Sequence, residues 1–342
     1  MQKIDFVLPW VDGSDKDWQQ RKNNYSTATN METHNARYRD METLRYVLRS
    51  IERNCPWFNK IYLITEGHYP KWLDINHDKI VLVTHEELYY NKSHLPTFSS
   101  SSIEMNLPNL QNLSDQFVYL NDDTIIMNKL TPKRFFVKGK PVDFFAHGWI
   151  PRNKVFGKFR RMDAWVHSIN NNIKLINNKF DISQIDNMLL FHDTYSTKDK
   201  ISNFLMKYIY KKIIWIEHWH FPQPYLKSTL YEVYHSFKNE MMTCSSNRFR
   251  ANNDLTQYLF RYWQLVTENF YPYKYNDGYV GNIRSLQALK EMIYKINNNK
   301  NINFVCFNDD INLSDEEFTK VKKELISFLN QCFPNKASFE KD

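Results

Sequence analysis

Glycine is scarce in this chain, with seven residues in 342, and none falls in a GxxxxGK[ST] or GxGxxG pattern. A P-loop or a dinucleotide-binding turn is therefore excluded as the phosphate-holding device. Cysteine is sparse too. Cys55, Cys244, Cys306 and Cys332 stand far apart without a CxxC pair, which argues against a zinc knuckle or a closely spaced disulfide scaffold and for a reducing compartment. No apolar run approaches the ~20 residues needed to cross a bilayer. Met1 leads directly into Ile4–Trp10, without a basic n-region, a long apolar h-region or a small-residue cleavage site. The expectation is a cytoplasmic protein whose Lys-rich surfaces could rest on an anionic leaflet.

What is present is the composition of a folded globular protein, with 42% hydrophobic, 24% charged and 16% aromatic residues. One large domain or two fused ones fit this length. The formal charge of +7, from 45 basic and 38 acidic side chains, suits an anionic ligand, an anionic polymer or a membrane face without choosing among them.

Short apolar runs at Ile4 to Trp10, Ile61 to Thr65, Ile80 to Thr84, Phe117 to Leu120 and Phe304 to Phe307 read as strands. Helix-like stretches separate several of them, which predicts an α/β fold with a mostly parallel sheet. Leu44, Val47, Leu48 and Ile51 form a helical stripe that leaves Arg45, Arg49 and Arg53 on other faces. Ser101 with Glu104 and Ser314 with Glu317 match the S-x-x-E capping box, the second opening a helix from about Asp315 to Cys332 that Pro334 closes. Helical segments rich in Tyr, Trp and Lys fill Phe180 to Thr267, read as an insertion packed on the sheet. The Asn-rich stretches Asn170 to Asn178 and Asn297 to Asn303 read as exposed loops.

Phe117-Val118-Tyr119-Leu120-Asn121-Asp122-Asp123 carries the most information, because an apolar strand stops at two adjacent carboxylates. Ligands of open parallel sheets bind beyond the carboxyl ends of the strands, and paired carboxylates there suit a divalent cation holding a diphosphate. An Asx turn or a helix cap is the other use of Asn-Asp-Asp. Asp12-Gly13 repeats the pattern after the first strand, where a tight turn is the simpler use, and Asn308-Asp309-Asp310 repeats it after the last. Three such tips, if adjacent, would repel one another unless a cation neutralised them. His218 and His220 flank Trp219 just ahead of Pro222 and Pro224. An imidazole there could serve as general base or steady a phosphate oxygen, and a structural core histidine is the plainer alternative. Lys227, Arg248 and Arg250 follow, with guanidinium groups suited to phosphate. Basic and aromatic residues alternate through Tyr208 to Trp215, which fits an amphipathic helix followed by a strand better than a nucleic-acid surface.

Taken together, these segments resemble the Stealth family of sugar-phosphate transferases. Four blocks carry the resemblance in order: Ile4 to Asp15; Arg37 to about Phe136, with Leu44 to Ile51, Leu95 to Ser100, Ile103-Glu104 and Tyr119 to Asp123; His220 to Asp254, with Pro222, Lys227, Arg250 and Asp254; and Phe307-Asn308-Asp309 followed by the helix ending at Phe333-Pro334. Met41 and Thr43 depart from the family pattern, and Lys138 to Ile216 matches no block, so that stretch is expected to govern acceptor choice.

The resemblance implies a Rossmann-like (GT-A-like) α/β core formed by residues 1–179 and 303–342, with 180–302 as a helical subdomain. It implies a UDP-sugar donor, an oligosaccharide or polysaccharide acceptor, and Mg²⁺ or Mn²⁺ as cofactor. Asp122, Asp123 and Asp309 would hold the metal, and Asp12, Gly13, Arg45 and Arg49 would lie at the nucleotide. His220, Arg250, Asp123 and Lys227 would carry the chemistry, in which an acceptor hydroxyl attacks the phosphorus bearing the sugar and expels UMP, as in capsule synthesis. Two rivals are a metal-dependent glycosyltransferase releasing UDP and a noncatalytic module binding an anionic polymer.

Overall fold

The computed structural model describes residues 2–26, 38–148, 164–218, 220–309 and 313–341. Its strands are β1 (Ile4–Pro9), β2 (Ile61–Thr65), β3 (Ile80–Thr84), β4 (Gln116–Tyr119), β5 (Thr124–Ile126), β6 (Phe136–Val137), β7 (Lys140–Asp143), β8 (Gln223–Leu226), β9 (Tyr271–Pro272), β10 (Gly278–Ile283) and β11 (Phe304–Asp309). The five runs expected as strands are strands. The main sheet has the order β3-β2-β1-β4-β8, with β3, β2, β1 and β4 parallel and β8 antiparallel at the edge. Pro224 sits in β8, where an edge strand tolerates its missing N–H.

Alternate residues of the central strands face opposite ways, as the two-residue period requires. Ile4, Phe6 and Leu8 of β1, Ile61 and Leu63 of β2, and Val118 with Leu120 join one buried cluster, closed by the helices Leu44–Asn54, Leu286–Asn298 and Asp315–Cys332. Val7, Tyr62, Ile64, Phe117 and Tyr119 join the other, under the helices Ala164–Lys179, Lys227–Ser236 and Tyr258–Val266. Leu44, Val47, Leu48 and Ile51 are all buried, each contributing about 1.5–3 kcal/mol by leaving water. Asp5, on the β1 face with Val7, is buried and accepts from Asn59 Nδ2 (2.7 Å), Lys60 N (3.1 Å) and Ser114 N (2.7 Å), which tethers two loops to the amino end of the sheet.

Several expectations change. The segment 180–302 is interleaved with the core, since β8 completes the main sheet and β10 runs parallel to β11, which pairs antiparallel with β5. Asn170 to Asn178 is not a loop but part of the helix Ala164–Lys179. Ile169, Ile173 and Ile176 bury its apolar stripe, while Asn172 Nδ2 donates to Thr256 and Asn177 Nδ2 to Ile213 O. Packing and these bonds override the weak helix propensity of asparagine. Ser101 and Glu104 do not form a capping box; Ser99 precedes that helix, and Glu104 turns inward. Ser314 does cap its helix through Glu317 N, but the Glu317 carboxylate accepts from Leu286 N instead of closing the box. Among the described residues, no helix is long and apolar enough to cross a membrane.

Candidate functional site

The sheet places two of the predicted acidic tips side by side. The strand order runs from β1 outward to β3 on one side and resumes with β4 on the other, so a topological switch point lies between β1 and β4. Crevices at such points are the ligand sites of open α/β sheets. Beyond β1, Asp12 Oδ1 accepts from Ser14 N (2.9 Å) and Ser14 Oγ (2.6 Å), an Asx turn that leads into the helix Lys16–Tyr25. Asp12 N donates to His68 Nε2 at 2.9 Å. Gly13 is required there because an added Cβ would lie 1.5 Å from the Tyr38 carbonyl oxygen.

Beyond β4, Asp122 and Asp123 occupy the turn into β5. Burial and then the charges of Asp123, Asp40 and Asp309 hold the Asp122 carboxyl well above the usual carboxylate range. Asp40 is itself pushed up to about 6, mainly by burial, with Asp12 adding to the effect. Carboxylates from the ends of β1, β4 and β11 thus lie within electrostatic reach of one another, with Asp40 among them. A cluster of hard oxygen donors in which Asp122 and Asp40 are pushed up by burial and then by neighbouring carboxylates fits a hard divalent cation such as Mg²⁺ or Mn²⁺. Asp310, the last residue of the third tip, lies outside the described residues.

His220 enters from the other side of β4. The antiparallel pairing of β8 sets Gln223 opposite Tyr119 and brings His220 Nε2 within 3.5 Å of Asp123 Oδ2. Burial would raise the Asp123 pKa, but the His220 charge and hydrogen bonds from His220, Cys306 and Thr124 outweigh it and lower the value. Desolvation opposes the charged form of His220, yet its side chain remains 44% exposed, and attraction to Asp123 raises its pKa above the ordinary 6.5. Asn121 Nδ2 lies 3.0 Å from His220 Nε2. That amide serves either ring state, donating to neutral Nε2 or, turned over, accepting from Nε2–H. His218 differs: its ring packs against Trp165, Trp215 and Tyr258 and bonds Tyr262 Oη, so it is the structural histidine of the pair.

Arg250 reaches the same place. Its Nη2 donates to Ser100 Oγ at 3.0 Å, and its charge acts on both Glu104 and His220. Glu104 is buried, accepts from Tyr119 Oη (3.2 Å) and Gln257 N (2.7 Å), and is pushed up to about 7 by its burial. Behind Asp123, Cys306 Sγ donates to Oδ2 at 3.3 Å and Thr124 Oγ1 to Oδ1 at 3.1 Å. Asp40 and Cys306 carried no sequence signal for this site, while Glu104 and Asn121 stood in the second block of the resemblance without a role assigned to them.

Three predicted site residues are placed elsewhere. Lys227 follows the far end of β8, its N–H donating to Asp115 O and its Nζ lying 5.9 Å from the centre of the Tyr231 ring. Four strand residues, about 13 Å, separate it from the carboxyl edge, so it is not among the groups around Asp123. Arg49 gives Nε and Nη2 to the Glu340 carboxylate (2.5 and 2.8 Å) and Nη1 to Phe333 O (2.8 Å). Arg45 lies 3.6 Å from the same carboxylate and stacks on Trp72 at 4.8 Å. Both arginines fasten the C-terminal segment to the core, because a buried carboxylate there requires cationic partners. For the metal, one trio among the described residues brings its ligand atoms within 4.8 Å of one another, Asp123 with His220 and Cys306; Asp122 and Asp309 are not part of it.

A cleft adjoins the His220 loop, lined by Phe221, Gln223, Arg134, Tyr273 and Tyr275. Arg134 is held there by paired hydrogen bonds to Asp277, both 2.9 Å, and stacks on Tyr275 at 3.9 Å.

Comparison with known proteins adds an independent line. Models of Stealth protein conserved regions 1, 2 and 4 match residues 2–29, 37–143 and 294–342, together more than half of the chain. The chain is 35% identical over 352 aligned positions to the capsular polysaccharide phosphotransferase WcwK of Streptococcus pneumoniae, covering 100% of this chain and 99% of that protein. It is 32% identical to the exopolysaccharide phosphotransferase cps2G of Lactiplantibacillus plantarum, covering 99% and 96%. Among solved structures, the galactosyltransferase LgtC with donor and acceptor sugar analogs aligns over 98% of both chains at 9% identity. Its TM-score of 0.38 is too low to carry an argument. With matched regions that include both the Asp12 turn and the Asp122-Asp123 tip, the chain belongs to the Stealth family of sugar-phosphate transferases.

Proposed function

We propose that this enzyme transfers a hexose-1-phosphate, with N-acetylhexosamine-1-phosphate favoured, from a UDP-sugar to a sugar hydroxyl in capsular polysaccharide synthesis. The observation that carries the proposal is the convergence of Asp123, His220 and Arg250 beside the β1–β4 switch point. The nucleotide would lie across the Asp12-Gly13 turn, where the backbone is drawn tight against Tyr38. Asp122, Asp123 and Asp309 would hold Mg²⁺ or Mn²⁺, whose charge when bound neutralises the diphosphate oxygens.

The neutral imidazole of His220 takes the proton of the acceptor hydroxyl, and Asp123 orients the ring and stabilises the imidazolium that results. The hydroxyl oxygen forms a bond to the phosphorus bearing the sugar. The bond from that phosphorus to the bridging oxygen breaks, and UMP leaves with the electron pair. Arg250 holds the charge developing on phosphate oxygens. Positioning and charge neutralisation then supply most of the rate, as phosphoryl transfer demands.

Chromatography of the nucleotides released from UDP-sugar and an oligosaccharide primer tests the reading. UMP is expected; UDP would indicate attack at the anomeric carbon and overturn it.

A further inference from the structure

The Asp123 carboxylate has a sulfur neighbour that the transfer reaction does not use. Cys306 lies on β11, and its pairing with Thr124 of β5 sets its thiol against Asp123 on the side away from the solvent. Cys306 Sγ stands 3.3 Å from Asp123 Oδ2, and His220 Nε2 stands 3.5 Å from the same oxygen. Tetrahedral coordination at Zn–O, Zn–N and Zn–S bond lengths places ligand atoms about 3.3–3.7 Å apart, so these separations already match. The three ligands come from separate elements: a strand, the β4–β5 turn and the loop before β8. Thr124 Oγ1 fixes the far oxygen of Asp123, the outer support that a ligating carboxylate needs.

We propose that Asp123, His220 and Cys306 form a site for one thiophilic divalent cation of the Zn²⁺ type, which shares Asp123 with the Mg²⁺ or Mn²⁺ role proposed for the carboxylates. A thiolate, an imidazole and one carboxylate oxygen are a donor set that selects Zn²⁺ or Co²⁺ over Mg²⁺. Binding forms a metal–sulfur bond and releases the Cys306 proton to solvent, so it strengthens as pH rises. Water completes the fourth position. The metal–nitrogen bond engages the Nε2 lone pair, so the cation inhibits transfer. That consequence rests on the role of His220 proposed above, whereas binding itself does not.

The test uses the full-length protein freed of metal and titrated with Co²⁺, whose thiolate-to-metal charge-transfer absorption reports a sulfur ligand. One equivalent should produce the band in the wild type, and Zn²⁺ should abolish it by displacement. Cys306→Ser should lack the band and bind Zn²⁺ about 10- to 100-fold more weakly. Cys332→Ser, which removes the half-buried cysteine outside the trio, should keep it. No band in folded wild-type protein, or a band that survives in Cys306→Ser, overturns the site. Loss of the band in a Cys306→Ala protein with wild-type circular dichroism supports it even if the serine variant misfolds. Full transfer activity in wild type carrying one bound Zn²⁺ would leave the metal site standing and overturn instead the role given to His220.

Discussion

His220 Nε2 and Asp123 Oδ2 lie 3.5 Å apart, although 97 positions separate them in the chain, because β8 returns antiparallel beside β4. The pairing charges the imidazole more readily than in water and the carboxyl less readily protonates. In metal-free protein, Asp123→Asn should lower the His220 pKa, read from its imidazole resonances by NMR. An unchanged titration would remove Asp123 as the cause.

A raised imidazole pKa also predicts pH dependence. The transfer rate should rise with pH through a value above 6.5, as the proton-accepting form of His220 is populated. The stabilisation from the His220–Asp123 pair is present below pH 6.5 and is lost as pH rises through the folded value. Glu104, raised from 4.5 to about 7, costs the fold stability progressively as pH rises from about 4.5 to about 7. Glu104→Gln should therefore flatten the dependence of Tm on pH between about 5 and 7, measured by thermal unfolding across that range.

His220→Ala should lower kcat by about 10²–10⁴-fold, the range for a lost general base, and Arg250→Ala by about 10²–10³-fold, the range for a lost charge-stabilising donor. Both should keep wild-type circular dichroism. Rates within twofold of wild type for either folded variant would exclude that residue from the transfer step.

Lys227→Ala should leave kcat and donor KM unchanged, since its side chain lies at the opposite end of β8. Arg49→Ala should also spare donor KM in the folded protein while lowering its stability, because the buried Glu340 carboxylate loses its two-point partner and keeps only Arg45 and the Ala337 N–H. Denaturant unfolding and steady-state kinetics separate the two effects.

These residues show where the sequence was legible. Short apolar runs set β2 and β3 to the residue and β1 to within one, and the acids after β1 and β4 marked the carboxyl edge of the sheet before any pairing was known. Lys227 misled because chain proximity to His220 concealed a strand that carries it down the sheet. Glu104 looked like a cap residue, since nothing local shows that Tyr119 Oη and Gln257 N reach it from across the fold. Cys306 carried no signal for the site, because its partner, Asp123, is 183 positions away. Arg45 and Arg49 fell on the expected helix faces, but only the tertiary structure brings Glu340 to them.

Phosphorus NMR of the product made from a UDP-sugar and an oligosaccharide primer, by wild type and by folded Asp123→Ala protein, tests the transfer most directly. The predicted result is a phosphodiester resonance coupled to both sugars with the wild type and none with the variant. A product without phosphorus, or equal phosphodiester from Asp123→Ala, would contradict sugar-phosphate transfer at this site.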